Sequence, residues 1–439
     1  MQHPVRRGCK LALPFVLAGI VFAQDHWVAT WAASPQAARG PQPAAGQAAP
    51  APNPVGQPAP PPPTGAQFRN GFNNQTVRMI VHASIGGHRV RIQLSNAYGS
   101  APLAVGAAHI AVRSKEAAIV PASDRALLFN GKQSCVIPPG AVMLSDPEDL
   151  DVPQLSDLAV SLYVPGETGP PTIHNLGLHT AYVSKQGDLT AQTTIADAAI
   201  SQSLYWLTAV DVLASANAAA IVTFGDSITD GARSTPDTNH NWPSFLAQRL
   251  LANPATAHLA VVNEGIAGNR VLRDAQGVSA LARFDRDVLA QAGVKWVTLL
   301  EGINDIRNGT RPGAPAIEAL ASADDVIAGL RQMAERAHTH GIKVIGCTLM
   351  PYGGAEFFSD TAESFRQAVN RWIRTSGVFD AVLDFDALTR DPNDPAKISA
   401  DFDAGDHLHP NDAGYKAMAD AIDLALFAPA TPAKNTSSR

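Results

Sequence analysis

The stretch Ala219-Ala220-Ile221-Val222-Thr223-Phe224, running at once into Gly225-Asp226-Ser227-Ile228-Thr229-Asp230-Gly231, decides how this chain is read. A short apolar run bounded by glycine reads as a buried strand, and the polar residues behind it as a helix start. In open α/β folds ligands bind at the carboxyl edge of the sheet, and a strand that turns sharply into a helix pushes its next side chain out there. Gly225 permits that turn. Ser227 is then presented beside helix-start N–H groups and a partial positive charge, both suited to a developing anion. The same residues also have a purely structural reading, in which Ser227 and Asp230 form a capping box.

From Ala218 onward, strands and helices alternate. Strands are expected at Ala219–Phe224, Ala260–Asn263, Lys295–Leu300, Lys343–Thr348 and Ala381–Phe385, and helices at Trp242–Leu251, Asp324–His340, Glu363–Thr375 and Pro410–Leu426. That rhythm implies a parallel sheet covered on both faces, spanning residues 218–428. Ahead of it, residues 24–210 carry short alternating runs such as Val77–Ala83, Val90–Ser95 and Leu158–Val164, punctuated by Gly and Pro. This pattern predicts an all-β sandwich, jelly-roll-like. The Pro- and Ala-rich stretch 35–66 cannot bury a core and is expected to be a disordered insertion within the β domain, with residues 429–439 a disordered tail.

The chain has 439 residues, 46% of them hydrophobic and 16% charged, with a formal net charge of −6. Such a balance suits a folded protein of two domains and offers neither the basic cluster nor the aromatic rhythm of a nucleic-acid binder. Arg6, Arg7 and Lys10 precede an apolar run, Leu11–Phe22, with Val21 and Ala23 at cleavage-like positions. Residues 1–23 therefore read as an export signal, and the mature protein as secreted or periplasmic without a stable membrane anchor. Cys9 would leave with the signal. Cys135 and Cys347 are expected to be free buried thiols, and no metal-ligand spacing or cofactor motif accompanies them.

Chemistry-bearing groups recur at the predicted strand ends. Asp406-His407-Leu408-His409-Pro410 places a carboxylate three residues before a histidine, close enough to bond one ring nitrogen and leave the other free to take a serine proton. Spacing alone does not decide between His407 and His409; Pro410, read as the first residue of a helix, favours His409 at the cap. Gly265-Ile266-Ala267-Gly268-Asn269 and Gly302-Ile303-Asn304-Asp305 follow two further strands, and with the Ser227 N–H they would make an oxyanion hole. Each segment is, by itself, also an ordinary turn. Ser234–Asn241, polar throughout, reads either as a sugar-contacting segment or as a plain surface loop.

Taken together, Gly225-Asp226-Ser227, Gly268-Asn269, Gly302-x-Asn304-Asp305 and Asp406-x-x-His409-Pro410 resemble the SGNH (GDSL) hydrolase superfamily over about half the chain. The resemblance implies a flavodoxin-like three-layer α/β fold, Ser227 as nucleophile, His409 as base and Asp406 as its partner. It also implies the Ser227 amide, the Gly268 amide and the Asn304 side chain as oxyanion donors, with no metal and no cofactor. A β-sandwich ahead of such a domain resembles the layout of certain carbohydrate esterases. The expectation is a serine esterase cleaving short-acyl, chiefly acetyl, esters of a small molecule or polysaccharide. The alternatives are a lipase or thioesterase of the same superfamily, a metal-dependent phosphoesterase using Asp401, Asp403, Asp406, His407 and His409, and a non-catalytic carbohydrate-binding protein.

Overall fold

The computed structural model describes residues 25–38 and 66–427. The proposed export signal, Cys9, the proposed tail and most of the Pro- and Ala-rich stretch lie outside the described residues.

The strands that build the first half are β1 (Trp27–Ala32), β2 (Gln36–Ala37), β3 (Gln75–Ala83), β4 (Gly87–Ser95), β5 (Ala107–Lys115), β6 (Ser156–Val164), β7 (Thr172–His174), β8 (Ala181–Val183) and β9 (Leu207–Leu213). One antiparallel sheet runs β1-β9-β4 and ends on Val142–Leu144, while Glu148–Val152 also pairs with β4. The other centres on β8-β3-β6-β5. Alternation puts Val77, Met79 and Val81 of β3 into one core with Val90, Ile92 and Leu94 of β4, so the inner faces of the two sheets close on each other. Two differences from expectation stand out. Gln36–Ala37, at the edge of the stretch read as disordered, pair with β7. The antiparallel pairing also continues through β9 to Leu213, past the boundary expected near residue 210.

The second half is a five-stranded parallel sheet of β10 (Ala219–Gly225), β11 (Leu259–Gly265), β12 (Val294–Leu300), β13 (Lys343–Cys347) and β14 (Ala381–Leu383), in the order β11-β10-β12-β13-β14. Every residue of β10 is buried, as expected of a central strand covered on both faces. The order is the flavodoxin-like doubly wound one, with its switch point between β10 and β12. Around the sheet stand α1 (Ser227–Asp230), α2 (Trp242–Ala252), α3 (Ala280–Phe284), α4 (Ile303–Gly309), α5 (Asp324–Thr339), α6 (Asp360–Thr375), α7 (Phe385–Thr389) and α8 (Asp412–Asp420). Among the described residues no helix is long and apolar enough to cross a membrane. Cys135 and Cys347 are free, the first half-buried and the second buried.

The two halves share a seam rather than a tether. Val28 of β1 packs into the β core while its neighbours Ala29 and Ala32 pack into the α/β core. The Ala29 N–H donates to Ala292 O at 3.0 Å, and the Ser84 hydroxyl accepts from the Val261 N–H at 3.1 Å.

Candidate active site

The turn out of β10 is built by its own residues. At Gly225 an added Cβ would lie 2.3 Å from Thr229 Oγ1 and 2.5 Å from Leu300 O, so only glycine fits. Asp226 caps α1, its Oδ1 accepting from the Ile228 N–H at 2.9 Å, and Gly231 ends the helix at φ +108°. The cap is therefore Asp226, not the Ser227–Asp230 box, and the Asp230 carboxylate is engaged elsewhere. Ser227 becomes the first helical residue, with its hydroxyl projecting from the carboxyl edge of the sheet.

That hydroxyl meets His409 across 182 residues of chain, with Ser227 Oγ and His409 Nε2 2.8 Å apart. The other ring nitrogen, Nδ1, lies 2.9 Å from Asp406 Oδ2. Asp406 Oδ1 accepts from the His409 N–H at 2.9 Å and the Leu408 N–H at 3.2 Å, folding the Asp-x-x-His segment onto itself. Arg233 Nε also donates to Asp406 Oδ2, at 3.0 Å. Burial alone would raise the Asp406 carboxyl, but the hydrogen bonds from the His409 ring and backbone, with Arg233, outweigh it and hold the group well below the usual carboxylate range.

The sequence reading of Pro410 needs correction. The last helix begins at Asp412, capped by Asn411 Oδ1 on the Gly414 N–H at 2.9 Å, while Pro410 forms a β-bridge with Asp403. His409 is held by that bridge and by Asp406, not by a helix start. His407 turns aside at φ +61° and bonds Asp403 Oδ2 at 2.6 Å. Two His–Asp pairs result, His407 with Asp403 and His409 with Asp406. Among the described residues no three His, Cys, Asp or Glu side chains form a metal-binding group.

The other two sequence segments arrive at the same edge. Gly268 takes φ +76°, a conformation that favours glycine, and the described residues offer no acceptor to its N–H or to that of Ser227. Asn269 is fully buried; its amide donates to Val278 O at 2.9 Å and accepts from Arg283 Nε at 2.8 Å, so it braces the turn from inside. Asn304, at the start of α4, donates through Nδ2 to Asn269 O at 3.0 Å and has a second amide hydrogen to offer. Asp305 ties the turn down by accepting from the Val271 and Leu272 N–H groups at 2.7 and 3.0 Å. Burial pushes its carboxyl up to about 6 against those hydrogen bonds, and burial does the same to Asp226.

Sequence reasoning missed the charged cluster beneath the site. Arg283, 1% exposed, donates to Gly225 O at 2.9 Å, Glu264 O at 2.7 Å and Ser34 Oγ at 2.8 Å, and pairs with Asp287 at 3.2 Å and Glu301 at 3.5 Å. Its guanidinium also lies over the Phe224 ring, 3.9 Å from the centroid. One side chain thus fastens the ends of β10 and β11 and the Asn269 turn to each other. The available signal was a charge set in an apolar run: Glu264 after Val261-Val262, Glu301 after Leu299-Leu300, and Arg283 among Leu281, Ala282 and Phe284. Ser234–Asn241 is a loop strapped to the rest of the fold by its polar side chains. Thr235 bonds Asp412, Asp237 bonds Thr180, Asn239 bonds His179, and Asn241 caps α2.

Residues 221–422 match the family described as GDSL-like Lipase/Acylhydrolase. No curated protein matches the chain. Similar solved structures include an acetylxylan esterase from Geobacillus stearothermophilus, 24% identical over 48% of this chain and 94% of that one, with a TM-score of 0.37. A GDSL-like lipase from Bacteroides thetaiotaomicron is 20% identical over 47% and 87%, with a TM-score of 0.35. An α/β hydrolase from the metagenome of Lake Arreo, Spain, is 22% identical over 48% and 95%, with a TM-score of 0.36. Residues 221–422 thus carry a GDSL-like lipase/acylhydrolase domain of the SGNH hydrolase type, whose family members are serine esterases and acylhydrolases acting on ester bonds.

Proposed function

We propose that this chain hydrolyses short-acyl esters, acetyl foremost, of a carbohydrate or similar polyhydroxy alcohol, and that it does so outside the cytoplasm. Ser227 Oγ attacks the ester carbonyl as His409 Nε2 takes its proton, while Asp406 holds the ring in the tautomer that leaves Nε2 free. The Ser227 N–H, the Gly268 N–H and Asn304 Nδ2 receive the oxyanion. His409 returns the proton to the departing alcohol. Water then attacks the acyl-serine by the same route, and the carboxylic acid leaves.

The observation that carries the reading is the chain of contacts from Ser227 Oγ to His409 at 2.8 Å and on to Asp406 at 2.9 Å. A serine hydroxyl bonded to an imidazole that a carboxylate orients is an activated nucleophile. Two features support a small acyl group on a polar alcohol. Residues 301–323, which cross beside the site, hold only the seven-residue α4 rather than a long apolar lid. Arg233 and Arg307 bring charge to the same edge, Arg233 through Asp406 and Arg307 on α4 one turn after Asn304. Export rests on the basic and apolar pattern of residues 1–23.

Ser227→Ala should abolish turnover of p-nitrophenyl acetate while leaving the circular dichroism spectrum unchanged; substantial residual turnover would refute the assignment. A series of p-nitrophenyl esters of increasing acyl length tests the acid side, where a preference for long chains overturns the acetyl reading. Acetate release from a panel of acetylated polysaccharides tests the alcohol side.

A further inference from the structure

His174 lies on β7, outside the family-matched residues, yet it reaches the nucleophile helix. Its Nε2 lies 3.2 Å from Asp230 Oδ1 and its Nδ1 lies 2.9 Å from Ser34 O. Both side chains of the pair are almost closed to solvent, at 6% and 4% exposure. Asp230 is the last residue of α1, one helical turn from Ser227, and its other oxygen accepts from the Ala267 N–H at 2.8 Å. The next residue is Gly268, whose amide the proposed mechanism uses.

A carbonyl oxygen and a carboxylate oxygen can only accept, so both ring nitrogens must carry hydrogen for both contacts to be hydrogen bonds. That arrangement favours the charged imidazolium form of His174. Burial and Arg283 work against that charge, and Asp230, with the Ser34 carbonyl, outweighs them. The rest of the surroundings make the end of α1 stiff. Asn263 Nδ2 donates to Thr229 O at 2.9 Å and Asp230 O at 3.2 Å, and a Cβ at Gly265 would fall 2.2 Å from the Asp230 nitrogen. The carboxylate of Asp230 is the contact by which α1 grips the Ala267-Gly268 turn, and His174 is its ion partner.

We propose that His174 of the β domain is a positioning residue for ester hydrolysis: it holds the Asp230 side chain aimed at the Ala267 N–H, and so sets the Gly268 amide against Ser227. The inference rests on the mechanism proposed above and gives the β domain a part in it. Without His174, one oxygen of the buried Asp230 side chain loses its partner, and rotation of that side chain releases the turn. One of three oxyanion donors is then misplaced.

The test compares His174→Ala and His174→Gln on p-nitrophenyl acetate, with rates expressed per Ser227 titrated by a fluorophosphonate, so that unfolded protein does not count. His174→Ala should lower kcat per titrated site about 10–100-fold, short of the ~10²–10³ for outright loss of an oxyanion donor. KM should change less than about threefold, because the donor acts mainly in the transition state. His174→Gln, which can still donate to Asp230, should recover most of the loss. A His174→Ala kcat per titrated site within about twofold of the parent overturns the proposal, as does a Gln variant no better than Ala. Either result leaves the Ser227 reading standing, since only activity in Ser227→Ala removes that.

Discussion

Replacing Asp406 with asparagine changes little in volume and everything in hydrogen-bond polarity. Both carboxylate oxygens face donors only. Oδ1 takes the Leu408 and His409 backbone N–H groups, and Oδ2 takes His409 Nδ1 and Arg233 Nε. An amide must set its NH2 against one of these pairs. Against the backbone pair it would orphan two N–H groups that cannot change, at about 1–3 kcal/mol each. Against the ring pair it can be accommodated, because the largely exposed Arg233 can turn its Nε–H to water and the imidazole can move its proton from Nδ1 to Nε2 and accept. That relief costs the enzyme its base, since Nε2–H now points at Ser227 Oγ. The wrong tautomer predicts a fall in kcat of about 10⁴, the loss seen for the equivalent change in a serine protease triad. At 1.36 kcal/mol per tenfold this is about 5 kcal/mol of transition-state stabilisation. KM should stay within a few-fold, as the carboxylate touches no substrate. Steady-state hydrolysis of p-nitrophenyl acetate, normalised by fluorophosphonate titration, measures both. A loss under tenfold would mean that Asp406 does not set the His409 tautomer.

Two further outcomes are expected. Asn304→Ala removes a donor and its bond to Asn269 O, and should lower kcat about 10²–10³-fold with little change in KM; an unchanged rate takes Asn304 out of the oxyanion site. Asp226 carries the pH dependence. Burial raises its folded carboxyl to about 6 against an ordinary 3.8, so between those values the folded state binds more proton than the unfolded one. Its contribution is thus most favourable at low pH and declines as pH rises toward 6. Asp226→Asn keeps the cap on Ile228 and removes the titration, so the melting temperature of the variant relative to the parent should rise from pH 4 to pH 6; a difference that stays flat contradicts the assignment.

Local chemistry made much of this protein legible. The strand before Ser227, the turn at Gly225 and the alternation after Ala218 depend on residues within a few positions of one another, and the strands and longer helices stand within a few residues of their expected places. The exception is the segment read as a helix from Pro410. A proline is compatible with the first helical position, but the β-bridge to Asp403 claims it, and α8 starts only at Asp412.

What the sequence determined by itself is the strand-turn-helix that presents Ser227, together with the Asp406-x-x-His409 pair, whose members are close enough along the chain to meet. Only the tertiary structure decided the partners. It turned His407 to Asp403, drew Arg233 to the carboxylate that His409 uses, buried Arg283 under three strand ends and carried His174 from another sheet to Asp230. Periodicity and turn propensity are written in neighbouring residues. A buried charge finds its counter-charge through the packing of distant segments, because desolvation makes an unpaired ion too costly and any residue the fold brings near can answer it.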